Sequence, residues 1–174
     1  MIEVADPLDA QSLQSHMKPG DTVVQLIGVS KPTPWKGPQF RAVDLVAGLT
    51  AIKAASQAGV SHFVYVSVAH PAPMMKEYIA VRAECEAALR TSGLSATILR
   101  PWYILGPGHW WPLLLKPAYW FCKRWPLTRA SATRLGLVTL HEMLGAMVWA
   151  VEHPTDSLRV LEVPDIKTIS VGLN

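Results

Sequence analysis

Two short apolar runs, each followed by a proline-bearing loop and a helix-length segment, constrain this chain more than any other feature. Val23-Val24-Gln25-Leu26-Ile27-Gly28 is entered from Pro19-Gly20-Asp21, as a buried strand is entered from a turn. Lys31 to Pro38 holds three prolines and a glycine and predicts a loop. From Phe40 to Ala58 the apolar Val43, Val46, Leu49 and Ile52 recur on one helical face, and Gly59 sits where the helix would stop. The pattern repeats with a strand His62-Phe63-Val64-Tyr65-Val66-Ser67-Val68, a loop Pro71-Ala72-Pro73 and a helix from Met74 to Arg90 closed by Ser92-Gly93. A third strand, Ala96-Thr97-Ile98-Leu99, runs into Arg100-Pro101. Strands alternating with helices through short connections predict an α/β fold whose parallel sheet is covered on both faces.

With 174 residues, half of them hydrophobic, the chain can bury the core of one such domain and not of two substantial ones. After Gly108 the composition changes, and five of the seven tryptophans fall between Trp102 and Trp125. This stretch reads as a pocket wall, a lid or an interfacial patch, with the pocket wall preferred, because tryptophan tolerates one wet and one dry side. His109 beside it reads as a loop residue. Met143, Leu144, Met147, Val148 and Val151 follow the spacing of a helix packed by one face, and Val160-Leu161-Glu162-Val163 reads as a late strand. The expected organisation is a single domain over 1–174, with a core at 1–100, a substrate or lid segment at 101–136 and a C-terminal helix and strand at 137–174.

Charge and cysteine content remove several function classes. The 16 basic and 13 acidic residues are scattered, with no like-charged run to track a phosphate backbone, so nucleic acid is not an expected partner. Cys85 and Cys122 form no Cys-x-x-Cys pair, and the six histidines show no zinc-ligand spacing with them. Free thiols, no metal and a reducing cytoplasm are expected. The N-terminus begins Met1-Ile2-Glu3-Val4-Ala5-Asp6, without the basic start or apolar stretch of a secretory signal. Trp110 to Phe121, the most apolar region, is broken by Pro112, Lys116 and Pro117 and falls short of the roughly 20 residues of a spanning helix.

The candidate chemistry lies after the second run. Ser67 is placed at the carboxyl end of its strand, the edge of an open α/β sheet where ligands collect. Tyr78 and Arg82, four residues apart, share a helical face. A phenol titrates near pH 10, too high for acid–base work near neutrality, unless a fixed cation favours the phenolate; a serine hydroxyl can meanwhile hold the substrate oxygen. Tyr65, two residues before Ser67 on the same sheet face, reads as packing.

Tyr78-Ile79-Ala80-Val81-Arg82, preceded by Val64-Tyr65-Val66-Ser67, resembles the Tyr-x-x-x-Lys and serine strand of short-chain dehydrogenases/reductases. The likeness is to atypical and extended NAD(P)-binding or NmrA-like members, in which a strand ending in Arg-Pro precedes a Gly-Pro-Gly turn. Here these are Leu99-Arg100-Pro101 and Gly106-Pro107-Gly108, and Glu86 stands where the family's helix commonly carries glutamate. Ala5-Asp6-Pro7-Leu8-Asp9 resembles the turn after the family's third strand. The resemblance implies a Rossmann-like, doubly wound, mostly parallel sheet and an NAD or NADP cofactor. It further implies an oxidoreductase, or an epimerase or dehydratase, with Tyr78 as general acid/base, Ser67 orienting substrate and Arg82 as the cation. Asp6 would approach the adenine, and Leu26, Ile27, Gly28, Pro101 and Trp102 would line the cofactor.

Two departures shape the expectation. Arginine replaces lysine at position 82, and its planar fork is not a neutral exchange for a compact ammonium. No Gly-x-x-Gly-x-x-Gly or Gly-x-Gly-x-x-Gly occurs, so the turn that brings backbone N–H groups onto the pyrophosphate is missing and cofactor binding is expected to be weak or lost. The chain reads as starting at the family's third strand, around Val4, an N-terminally incomplete fold with a bare sheet edge open to self-association. A non-catalytic, cofactor-sensing or scaffold protein on the same fold, with a protein partner instead of a small-molecule substrate, is the alternative.

Overall fold

The computed structural model describes residues 3–106 and 133–172. Four parallel strands form the main sheet in the order β1-β2-β3-β6: β1 (Thr22–Gln25), β2 (His62–Val66), β3 (Ala96–Leu99) and β6 (Leu158–Leu161). A separate parallel pair joins β4 (Tyr103–Leu105) to β5 (Leu137–Thr139), flanking the tryptophan-rich segment. Most of that segment, with His109, Cys122 and the Gly-Pro-Gly turn beyond Gly106, lies outside the described residues.

Central strands buried on both faces need apolar side chains at every position, and β2 and β3 have almost nothing else. Phe63, Tyr65, Ala96 and Ile98 face α2 (Val46–Ala58) and α3 (Lys76–Thr91), packing with Ile52, Cys85 and Leu89. Val64, Leu99 and Leu161 face the opposite way, against Met143, Ala146 and Ala150 of α4 (Leu140–Glu152) and Ile166 of α5 (Val163–Val171). Helices on both faces make this the doubly wound, Rossmann-like arrangement expected from the sequence.

The helices begin and end for local reasons. Gly59 closes α2 in the left-handed region at φ 69, where a Cβ would be strained. Thr139 and Glu142 form a reciprocal capping box at the start of α4. The helical stretch before α2 contains a π-helical turn, Phe40–Leu45, which buries Phe40 and Asp44. Helix α3 starts at Lys76, two residues later than the sequence reading, because Met75 takes a left-handed backbone at φ 62.

Two further expectations are corrected. Residues 3–6 form no strand: Val4 is 93% exposed, and the chain instead turns into α1 (Ala10–Gln14), whose Leu13 packs on the core under α2. The physical reason is pairing: among the described residues no strand lies beyond β1 for Val4 to join. The late strand also starts and ends two residues earlier than its apolar run, because Glu162 already serves as the N-cap of α5.

Candidate active-site cleft

A cleft of about 620 Å³ opens at the carboxyl ends of β2 and β3. Ser67 and Val68 form its floor, Tyr78 of α3 one side, and Pro101, Trp102 and Tyr103 another. The loop Lys31 to Pro34 and the methionines Met74 and Met75 complete the wall. Ser67, Tyr78, Pro101 and Trp102 are thus brought to one cleft by three separate elements.

Ser67 is buried beneath this cleft, and its hydroxyl donates to Glu86 Oε1 at 2.6 Å. Glu86 is the centre of a charged cluster. Arg100 Nε donates to Oε1 at 3.0 Å and Arg100 Nη2 to Oε2, while Arg90 Nη2 lies 3.4 Å from Oε2 and His70 Nε2 3.5 Å from Oε1. Arg100 Nη1 continues to Glu162 Oε1 at 2.9 Å. Burial by itself would raise the Glu86 carboxyl, but hydrogen bonds from Arg100 and Ser67 and the Arg100 charge outweigh it and hold the pKa below the ordinary value. Glu86 is therefore a carboxylate and can only accept, which fixes the direction of the Ser67 bond.

Arg82 is placed otherwise than as a free cation beside a phenol oxygen. Only 7% exposed, it donates Nη2 to Asp44 Oδ1 at 2.7 Å and Nη1 to the Val66 carbonyl at 3.1 Å and to Tyr65 Oη at 3.3 Å. Its carbon Cζ stands over the Tyr78 ring, 5.1 Å from the centroid, while the Tyr78 ring meets Phe40 edge to face. Burial would lower the guanidinium, yet Tyr78, Tyr65 and Asp44 overcome it and the pKa is raised. Tyr65, fully buried, has its phenol pushed above the ordinary value, chiefly by that burial.

Asp44 completes the pair and ties it to the loop after β1, because its Oδ2 accepts the Val29 N–H at 3.0 Å. Gly28 lies so close that a Cβ there would stand 2.6 Å from Arg82 Nη2 and 2.7 Å from Asp44 Oδ1. Leu26, Ile27 and Gly28 are exposed beyond the end of β1. Asp6 is exposed on the N-terminal segment; its Oδ1 accepts the Leu8 N–H at 2.9 Å.

Asp44 was missed by sequence reasoning. The available signal was a lone acid four residues after Phe40 on a helix otherwise apolar on that face. Glu86 and Arg100 were visible as landmarks but not as partners of Ser67, since 19 and 33 positions separate them from it in the chain. His62 and Thr97, hydrogen-bonded at 3.0 Å and joined by Arg159, form a buried polar group at the opposite, amino-terminal end of the sheet.

No curated protein sequence matches the chain. Among solved structures, the enzyme WbmH of Bordetella bronchiseptica, in complex with NAD+, superposes with a TM-score of 0.63 at 19% identity, over 92% of this chain and 59% of that one. A UDP-N-acetylglucosamine 4-epimerase from Bacillus cereus gives 0.64 at 15% identity, over 99% and 68%. A glucuronic acid dehydrogenase from Chromohalobacter salexigens gives 0.62 at 16% identity, over 92% and 59%. The chain thus spans about three-fifths of the length of WbmH and of the glucuronic acid dehydrogenase, and these likenesses show the fold. A family model described as NAD(P)H-binding matches residues 2–107, which include β1, β2, β3 and the Ser67, Tyr78 and Arg82 positions, and the chain accordingly belongs to the NAD(P)H-binding family, on a Rossmann-like fold.

Proposed function

We propose that the chain carries the nicotinamide and substrate end of an NAD(P)-dependent oxidoreductase site of the short-chain type. The observation that carries this reading is the convergence of Ser67, Tyr78, Pro101 and Trp102 on one cleft at the carboxyl ends of β2 and β3. The cleft's volume suits one ring system with a small substrate. Gly28 supports the fit, because its missing Cβ lets the exposed loop after β1 lie flat over the Asp44–Arg82 pair. The fit extends to the nicotinamide half; among the described residues no glycine-rich turn cradles a pyrophosphate.

A bound nicotinamide would supply hydride transfer; the chain's own residues handle the proton. Tyr78 exchanges it with the substrate oxygen, with the Arg82 charge at its ring face. Ser67, having given its hydrogen to Glu86, offers lone pairs and accepts from a second, non-reacting hydroxyl of the substrate.

Fluorescence titration with NADH and NADPH tests the reading. Binding in about the micromolar range, with Tyr78→Phe leaving that affinity intact and lowering hydride exchange about hundredfold or more, is the expected result. No binding of either nucleotide would overturn it. The second reading, a non-catalytic sensor or scaffold, draws support from Arg82, whose two terminal nitrogens are engaged by Asp44, Tyr65 and the Val66 carbonyl within the fold. In that case Tyr78→Phe changes neither quantity. We also propose that the free edge of β1 is a pairing surface, supported by half-exposed Val24 and exposed Leu26 beside it.

A further inference from the structure

We propose that Lys31 makes this cleft a site for an anionic substrate, one bearing a carboxylate or a phosphate ester. The inference rests on the cleft's being the substrate site and goes on to name the substrate's charge. Among the described residues that line the cleft, Lys31 is the one charged side chain, and no acidic residue faces it there. Apart from Thr33 and Ser67, the rest of the wall is built from prolines, methionines, aliphatic side chains and aromatic rings, which lower the local dielectric and strengthen any charge pair formed inside.

Lys31 is held in the cleft wall at some cost to the backbone. Lys31 has φ 50, one of two non-glycine residues in the left-handed region among the described residues; the other, Met75, lines the same cleft. The turn is kept by Lys36, whose Nζ donates to the Ser30 and Lys31 carbonyls at 2.9 and 3.2 Å. Lys36 is thereby spent on the loop, whereas the Lys31 ammonium makes no ion pair with a described residue. An oxyanion entering the cleft would meet the Lys31 ammonium as a charge-assisted donor.

Calorimetric titration of the full chain, with and without saturating NADPH, tests the proposal using D-glucuronate, D-glucose 6-phosphate and D-glucose as probes. At least one anion should bind about tenfold or more tightly than the neutral sugar, and the stronger of the two identifies carboxylate or phosphate ester as the source. Lys31→Met keeps the stem and the backbone demand and should abolish that preference. Lys31→Gly relieves the left-handed strain and should abolish it equally, whereas a purely conformational role would survive this second change. A fall in NADPH affinity in Lys31→Met as large as the loss of anion preference would assign the ammonium to the cofactor and overturn the proposal. Equal binding of glucose and the anions, no binding of any probe, or an unchanged preference in Lys31→Met would overturn the proposal. NADPH binding measured alone separates that failure from failure of the oxidoreductase reading.

Discussion

At the scale of single residues, the cleft floor rests on two buried charge systems that act differently. Asp44 and Arg82 leave no space beside Gly28, so Gly28→Ala should force the pair apart and destabilise the fold by about 1–3 kcal/mol, the usual range for overpacking. Gly106→Ala is the control, because among the described residues its nearest heavy atoms are at 3.8 Å, ordinary contact distance; urea denaturation of both variants checks the difference. Glu86 supplies a pH dependence. Its folded pKa lies below the unfolded value of about 4.5, so its contribution is present above that value and is lost as pH falls through the folded pKa. Urea midpoints measured from about pH 6 to about pH 3.5 should therefore fall less steeply for Glu86→Gln than for the parent, although the variant is less stable at neutrality. Neither system was legible as a partnership in the sequence. A helix-face count shows Asp44 on an apolar side, but only packing brings in Arg82, 38 residues away.

Secondary-structure elements were more legible, since their signals are local. The β-branched runs and the glycine stop at Gly59 gave β1, β2, β3 and α2 to within a few residues. The capping pair Thr139 and Glu142 is a further local signal, and Thr139→Ala should cost about 1 kcal/mol of stability, measured as a lowered melting temperature. The errors fall where backbone geometry overrides periodicity. Met75 leaves the helical region and delays α3, and the π-helical turn inserts a wider loop of backbone before α2. No composition rule marks a methionine or a lysine for φ near +50 to +60, because the conformation is disfavoured for both and is imposed by what surrounds them.

For the whole molecule, β1 ends the sheet with its outer edge unpaired among the described residues. Edge pairing predicts concentration-dependent association, and Val24→Lys, which places a charge on the half-exposed edge position, should shift sedimentation velocity profiles toward monomer. A parent chain that sediments as monomer at every concentration would sink the edge proposal. The sequence by itself determined the fold class, the alternation of β1, α2, β2, α3 and β3, the family and the residues Ser67, Tyr78, Pro101 and Trp102 that line the cleft, because period, turn chemistry and motif spacing are local properties of the chain. Only the tertiary structure decided what those residues touch. Ser67 gives its hydrogen to Glu86, Arg82 is tied to Asp44, and among the described residues Val4 finds no strand to join and Lys31 makes no ion pair. Each of these depends on groups distant in the chain meeting in a medium of low dielectric, where a buried charge must find a partner and a strand must find a neighbour.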